Sequence, residues 1–283
     1  FLPNAKFHQN TGYVSLAYQI SEKSKIKFQY TRMKYLAQQP GGLTDTEFEM
    51  NPYQAKRLRN WFDVDWNLYA LFWNKRFSNQ RRLNVRFFTL DASRKSVGDL
   101  SRPNRPDANR ERDLIIGEFN NWGIESRFLR HYTFIAQPST FLVGVRAYRG
   151  FNWSRQGFAK GGDDADFNLI NPVSAGVSDF QHPGYNAALF AENIFRLPYQ
   201  ISIIPGIRLE AIETNANGFY KNRLISGGRL IFEDTVSVSR SYFRQFPLLG
   251  LGLSKKIKQV EILANITQNY RSINFSDMSI SNP

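Results

Sequence analysis

Alternating hydrophobic and polar residues, the period of a β-strand, recur along most of the chain. The longest run spans residues 60–77 (NWFDVDWNLYALFWNKRF) and places one apolar series on one side: Phe62, Val64, Trp66, Leu68, Ala70 and Phe72. A helix over the same residues would mix this series with Asp65 and Trp73 in no consistent stripe, so we favour a strand. A strand in a soluble protein typically has about 5 to 6 residues, and this run is far longer. The length therefore indicates an environment in which long strands are required.

Ten segments with this period fall into five pairs, each joined by a short turn. The predicted strands are residues 13–20, 25–34, 61–77, 82–92, 123–133, 140–151, 187–196, 201–212, 248–253 and 260–270. Four long polar segments, 35–59, 93–122, 152–185 and 213–246, connect one pair to the next. In an antiparallel meander every second connection lies at the same end, so the short turns would share one rim and the long loops the other. This asymmetry is typical of outer-membrane barrels.

Within single predicted strands, one face suits hydrocarbon and the other suits water. In the eighth strand the apolar series is Ile203, Pro205, Ile207 and Leu209, and the residues between them include Ser202, Gly206, Arg208 and Glu210. A soluble β-sandwich also alternates but has shorter strands, whereas about 9 to 11 residues are needed to cross a bilayer at a tilt. For residues 61–77 we expect the series from Phe62 to Phe72 to face hydrocarbon, and Tyr69, Leu71 and Trp73 to face the interior.

The amino-acid composition limits the classes of binding partner. The chain has 37 Lys and Arg against 24 Asp and Glu, a net charge of +13, which suggests nucleic acid, an anionic membrane surface or an anionic small ligand. Nucleic acid is disfavoured because the basic residues lie in loops between lipid-type strands rather than along one groove. No run of about 18 apolar residues could form a membrane-spanning helix. The absence of cysteine excludes disulfides and thiolate metal sites.

Five short motifs carry a more specific signal: QQPGGLTD at 38–45, RNWF at 59–62, ALFAENIFRL at 188–197, IIPGIRLE at 203–210 and NITQNYRSINFSDM at 265–278. They resemble the barrel of TonB-dependent outer-membrane transporters, in particular the ferric-citrate-transporter type. The resemblance implies a transmembrane antiparallel β-barrel of about 22 strands with a plug in its lumen. It also implies uptake of a ferric chelate, driven by the TonB energy-coupling complex, at the outer membrane of a Gram-negative bacterium.

Ten strands do not close a barrel of that size, and neither a plug nor the short TonB-contacting box is found. We therefore expect residues 1–283 to be a partial barrel domain with short periplasmic turns and long extracellular loops, an internal fragment of a longer protein. The expected partners are a ferric chelate (ferric citrate or another siderophore), the TonB complex through the plug region, outer-membrane lipid and lipopolysaccharide. The alternative is a passive pore or a surface adhesion barrel.

A basic cluster in the second long segment is the candidate ligand site. Its members are Arg94, Lys95, Arg102, Arg105, Arg110 and Arg112. The planar guanidinium group donates two parallel hydrogen bonds to a carboxylate, so these residues could gather a carboxylate-rich ferric chelate at the external mouth. They could instead neutralise lipopolysaccharide phosphates or be merely solvated.

Charged residues on the polar side of predicted strands form a second candidate group: Arg86, Arg146, Glu192, Arg208 and Glu210. They could guide the ligand or hold the plug. We favour contact with the plug, because charges enclosed between the barrel wall and the plug need partners. The acidic run at Asp163, Asp164 and Asp166 lacks EF-hand spacing, and the three histidines lack metal-ligand spacing. No GxSxG, HExxH or P-loop motif occurs, so the sequence predicts neither an enzyme, a cofactor nor a metal site.

Overall fold

The computed structural model describes residues 2–226 and 229–271, and these form one sheet of ten strands. The strands are β1 (Phe7–Ser21), β2 (Ser24–Gln38), β3 (Trp61–Ser78), β4 (Arg81–Gly98), β5 (Arg112–Phe134), β6 (Gln137–Ala159), β7 (Ser178–Leu197), β8 (Ile201–Ser226), β9 (Arg229–Ile257) and β10 (Val260–Thr267). Each pairs antiparallel with the next, and β1 and β10 are the edges. The predicted antiparallel all-β fold is confirmed. Of the motif at 265–278, residues 272–278 lie outside the described residues.

The connections differ in length at the two ends of the sheet. At the short-turn end, residues 22–23, 79–80, 135–136, 198–200 and 258–259 join the strands of each predicted pair. At the long-loop end lie residues 39–60, 99–111 and 160–177, and the first of these contains the helix α1 (Asp45–Met50). Thr44 begins α1 with a capping box, since its side chain and that of Glu47 each accept from the other's backbone amide. No helix within residues 2–226 and 229–271 is long and apolar enough to cross a bilayer.

The prediction of a fourth long loop at residues 213–246 is wrong. β8 and β9 pair in unbroken register from Ile201–Lys255 to Leu224–Phe232, so both strands continue almost to residues 227 and 228. This part of both strands carries Thr, Asn, Ser and charged side chains on either face, which leaves no hydrophobic period. Backbone hydrogen bonds between strands need no apolar side chain, so the ladder continues where the sequence pattern stops. The other three long loops are also shorter than predicted.

One face of the sheet is apolar and exposed over its lower half, towards the short-turn end. Residues paired across neighbouring strands lie on the same face, and one such row runs from Phe28 through Leu71 and Phe87 to Ile124. Large exposed side chains on this apolar face include Leu16, Leu71, Phe87, Ile124, Val145, Leu189, Leu209, Leu249 and Ile266. Soluble monomers rarely expose apolar patches larger than a few hundred Å², so a face like this one requires lipid or a partner.

The opposite face, called the polar face below, carries charged groups at the same height. Lys27 and Arg86 both pair with Phe72, and the row continues through Glu125 to Arg146. All five charged residues predicted on the inner side of the strands lie on this face: Arg86, Arg146, Glu192, Arg208 and Glu210. The alternation of apolar and polar residues in the sequence therefore predicts the face of the sheet correctly for all five.

The predicted orientation of β3 is wrong. Leu71 and Trp73 pair with Phe28 and Ile26 and belong to the apolar face, whereas Phe72 pairs with Lys27 and belongs to the polar face. The lower half of β3 has apolar or aromatic residues on both sides, so its own period does not distinguish the faces. The register with β2 and β4, whose faces differ clearly, decides the orientation.

Candidate ligand-binding surface

A cleft of about 480 Å³ lies on the polar face and is formed mainly by strands β5 to β9. Its charged and polar lining includes Arg146, Tyr148, Asn186, Arg208 and Glu210. Because these residues alternate with apolar-face residues along the same strands, the strand period alone directs them into the cleft. A volume in this range is typical of small-molecule sites, which lie within about 300 to 1,000 Å³.

Glycines on the polar face let aromatic rings lie flat against the sheet. A Cβ atom at Gly144 would stand 2.4 Å from the Phe190 ring, and one at Gly123 would stand 2.5 Å from the Phe88 ring. The guanidinium group of Arg208 lies 5.3 Å from the centre of the Phe190 ring, and that of Arg127 lies 6.0 Å from it. These cation–π contacts hold the guanidinium groups close to the wall.

Two carboxylates of the polar face, Glu125 and Glu210, are engaged by its own cations and amides. Glu125 lies 2.6 Å from Arg127 Nη2 and 4.0 Å from Arg86 Nη2. Glu210 accepts from Arg208 Nε and from Asn186 Nδ2. Glu192, which pairs with Gly206, is exposed. The polar face therefore pairs two of its acids locally and retains an excess of arginine for an anionic partner.

Arg57, which is not among the residues predicted from the sequence, holds the loop at residues 99–111. Its side chain is 3% exposed and donates to the carbonyl oxygens of Ser101, Arg102 and Arg105 at 3.0 to 3.2 Å. Asp99 lies 3.6 Å away as its counter-ion. A Cβ atom at Gly41, whose φ is 80°, would stand 2.6 Å from Arg57 Cγ, so the PGG motif provides the space for this side chain.

The residues of the RNWF motif bind the other long loops. Arg59 forms an ion pair with Asp107, and Asn60 exchanges two hydrogen bonds with the backbone of Asp99 at 2.9 and 3.0 Å. Trp61 Nε1 donates to the carbonyl oxygen of Asp163 at 2.7 Å. Residues 39–60, 99–111 and 160–177 thus form one hydrogen-bonded unit, called the loop layer below.

The six basic residues predicted as one loop cluster do not form one. Arg94 and Lys95 lie in β4 and project from opposite faces, Arg94 from the polar face. Arg112 begins β5, is fully buried, and donates to Lys160 O at 2.9 Å and to Asp164 Oδ1 at 2.9 Å. The three that lie in the loop, Arg102, Arg105 and Arg110, have exposed side chains. Charge density along the sequence could not distinguish the arginine that holds the loop layer from those that reach solvent.

The acidic run at 163–166 contributes to the loop layer through Asp163 and Asp164, whose partners are Trp61 and Arg112. Among the described parts of the chain, no group of three or more His, Asp or Glu side chains could hold a metal ion. His8 lies 2.8 Å from Asn10 Nδ2, His131 lies 3.0 Å from Thr140 Oγ1, and His182 stacks on Phe180 with ring centres 5.7 Å apart. Each histidine thus has a local contact in a different part of the sheet.

The Arg59–Asp107 ion pair predicts that the loop layer loosens in acid. The Arg59 guanidinium holds the pKa of the Asp107 carboxyl below its ordinary value of 3.8. A carboxyl with a lowered folded-state pKa stabilises fully above its unfolded pKa, and this contribution is lost as the pH falls through the folded value. We expect hydrogen–deuterium exchange at residues 101–109, corrected for the intrinsic rate, to increase only below about pH 4. Asp107→Asn should raise this exchange above about pH 4, where the wild type keeps the ion pair, and should remove most of the pH response. An unchanged response would contradict the assignment.

No family model matches the chain, but solved structures do. The ferric citrate transporter FecA in its unliganded form is similar with a TM-score of 0.76, at 16% identity, over 93% of this chain and 36% of FecA. The ferric-catecholate import receptor Fiu from E. coli, in its open form, has a TM-score of 0.71 at 10% identity over 94% of this chain and 47% of Fiu. The copper transporter OprC has a TM-score of 0.62 at 12% identity over 93% of this chain and 37% of OprC.

The chain has the fold of a TonB-dependent receptor barrel wall. The predicted resemblance to this type is confirmed at the level of fold. The chain spans between 36% and 47% of the three structures, which agrees with ten strands of a larger barrel. In such a barrel wall the apolar face contacts lipid and the polar face lines the lumen.

Proposed function

We propose that this chain is the barrel wall of an outer-membrane receptor of a Gram-negative bacterium that takes up a metal chelate. The observation that carries the proposal is the division of one ten-stranded sheet into an exposed apolar face and an arginine-rich polar face. An apolar exterior and a polar lumen are what a transmembrane barrel requires. The similar structures include a ferric citrate transporter, a ferric-catecholate import receptor and a copper transporter.

The ligand that fits this wall best is an anionic ferric chelate, and ferric citrate is the specific candidate. Arg86, Arg127, Arg146 and Arg208 line the polar face, and Arg94 extends the same face towards the long-loop end. The exposed Arg102, Arg105 and Arg110 would contribute at the mouth. Guanidinium groups pair well with carboxylates. The receptor performs no bond-making: affinity comes from these groups, and the TonB complex supplies energy through a plug.

The test is uptake of radioactive iron by cells that lack their own ferric citrate receptor. Cells expressing the complete gene should take up ferric citrate, and deletion of TonB or collapse of the proton gradient should abolish that uptake. Uptake that continues without TonB would support a passive pore instead. Binding of cells to a surface or partner without iron uptake would support an adhesion barrel, and either result would overturn the proposal.

A further inference from the structure

The short-turn end of the sheet is strongly basic. Its turns and the strand ends beside them lie at residues 21–25, 75–82, 130–140, 196–201 and 255–261. These segments contain eleven Lys and Arg but only two acidic residues, Glu22 and Glu261. Charge of one sign gathered at one end of a protein attracts partners of the opposite sign. An anionic neighbour is therefore expected at this end of the sheet.

Two arginines lie directly opposite each other on the apolar face at this end. Arg81 begins β4 and pairs with Arg130 of β5, and both side chains are exposed. They share a face with the paired Phe87 and Ile124, which lie six residues away along the same strands. Like charges directly opposite each other on a sheet are destabilising, and none of the ion pairs within residues 2–226 and 229–271 includes either arginine. An anion bound between the two guanidinium groups would remove this repulsion.

A groove of about 420 Å³ adjoins this pair on the apolar face. Arg130 pairs with Phe141, Phe141 pairs with Asn193, and all three line the groove together with Tyr132 and Phe195. Asn193 is 9% exposed, and its Nδ2 donates to Tyr132 Oη at 2.8 Å. The groove therefore combines a guanidinium group, an amide–phenol pair and aromatic walls. This combination suits a molecule with a charged end and an apolar body.

The arginine pair lies at the level of lipid headgroups. On β5, the apolar side chains of this face fall between Asn120 towards the loops and Arg130 towards the turns. At a rise of about 3.4 Å per residue and a tilt of about 45°, the ten residues from one to the other span about 24 Å of bilayer, close to the roughly 25 Å of a barrel's apolar band. Arg81 adjoins the turn at residues 79–80. A phosphate at this level would accept from both guanidinium groups, which donate parallel hydrogen bonds to phosphate oxygens.

We propose that Arg81, Arg130 and the adjoining groove bind an anionic phospholipid of the inner leaflet, with its phosphate between the guanidinium groups and an acyl chain against Phe141 and Phe195. The inference rests on the proposed function, which places the apolar face in the outer membrane and the short turns in the periplasm. The occupant is a phospholipid because lipopolysaccharide lies in the outer leaflet of that membrane. A free phosphate would leave the aromatic walls unused, and a zwitterionic lipid would bring an ammonium group to two arginines.

The test measures lipid binding to the purified complete receptor in detergent by native mass spectrometry. The probes are phosphatidylglycerol and phosphatidylethanolamine with identical acyl chains. The double variant Arg81→Gln/Arg130→Gln removes the cation pair, and Phe141→Ala removes one wall of the groove. The double variant Arg76→Gln/Arg82→Gln is the matched control, because these exposed arginines also pair directly near the same turn but project from the polar face. Heat-dependent mobility on gels checks that each variant is folded.

The wild type should bind phosphatidylglycerol about tenfold more tightly than phosphatidylethanolamine, as expected for hydrogen bonds to a charged group. Arg81→Gln/Arg130→Gln should lose this preference, Phe141→Ala should bind both lipids more weakly, and the control should keep the wild-type preference. An equal preference in the two double variants, or displacement of the lipid by an equal concentration of inorganic phosphate, would overturn the site. Tighter binding of lipid A would assign the pair to lipopolysaccharide, and a dimer that only Arg81→Gln/Arg130→Gln dissociates would assign it to a second copy of the chain. Either result would also overturn the proposal.

The lipid site and the transport function fail in different experiments. No preference for phosphatidylglycerol in a receptor whose ferric citrate uptake requires TonB would remove the lipid site and leave the transport proposal intact. Uptake that continues without TonB, together with a preference that depends on Arg81 and Arg130, would remove the transport proposal and support the site.

Discussion

Replacing Ile207 by arginine is expected to prevent the receptor from assembling in the outer membrane. Ile207 lies on the apolar face, is 45% exposed, and comes six residues after the start of β8 at Ile201. With a rise of about 3.4 Å per residue and a strand tilt near about 45°, six residues place it about 15 Å into an apolar band about 25 Å tall. An arginine at this depth costs about 2 to 4 kcal/mol. Assembly is measured by the heat-dependent mobility of the folded barrel on gels and by its yield in outer-membrane fractions.

The neighbouring residue provides the control for this substitution. Gly206 lies on the polar face, and a Cβ atom there would meet no heavy atom closer than 3.8 Å. Gly206→Arg introduces the same charge one residue away into the aqueous side of the sheet. We expect this variant to assemble at near wild-type yield. Equal loss in both variants would mean that the two faces do not differ in their surroundings.

Replacing Arg57 by methionine is expected to release residues 99–111 from the loop layer while the strands remain paired. Arg57 is almost fully buried, its donors satisfy three backbone carbonyls of that loop, and Asp99 would lose its counter-ion. Breaking a buried ion pair from one side typically costs about 3 to 5 kcal/mol. In this case the cost applies to local opening, because the contacts lie beyond the strand ends. Limited trypsin digestion of the purified barrel should show new cleavage within residues 99–111.

Arg105→Met is the matched control, because it removes an arginine of the same loop whose side chain is exposed. It should leave the protease resistance of the loop unchanged apart from the deleted trypsin site. Resistance equal to wild type in Arg57→Met, or an equal loss in both variants, would show that the buried guanidinium does not hold the loop.

The two faces of most strands could be predicted from the sequence because one side of each is clearly polar. In β2, Lys25, Lys27 and Gln29 mark the polar face, and in β8 Arg208 and Glu210 do so. In the lower half of β3 the residues on both sides are apolar or aromatic, and only pairing of Leu71 with Phe28 and of Phe72 with Lys27 resolves the orientation. Register is a relation between strands, so a single strand with two apolar sides does not contain that information.

The extension of β8 and β9 and the arrangement of the loop arginines could not be predicted for a related reason. Residues 213–226 and 229–246 have polar side chains on both faces, and their strand structure rests on backbone hydrogen bonds that leave no hydrophobic period. Arg57 and Arg102 are both arginines in polar segments, yet Arg57 is buried by carbonyl groups from another loop. Contacts between distant loops determine which arginine is structural.

Strand β3 is where contact of the apolar face with lipid, and of the polar face with an aqueous interior, can be measured residue by residue. The chain contains no cysteine, so single cysteines for spin labels can be placed by Ala70→Cys, Leu71→Cys, Phe72→Cys and Trp73→Cys. In reconstituted membranes, labels at 71 and 73 should be accessible to oxygen and protected from a water-soluble nickel chelate, and labels at 70 and 72 should show the reverse preference. Accessibility with the opposite alternation, or with none, would show that the two faces do not lie in lipid and water in this way.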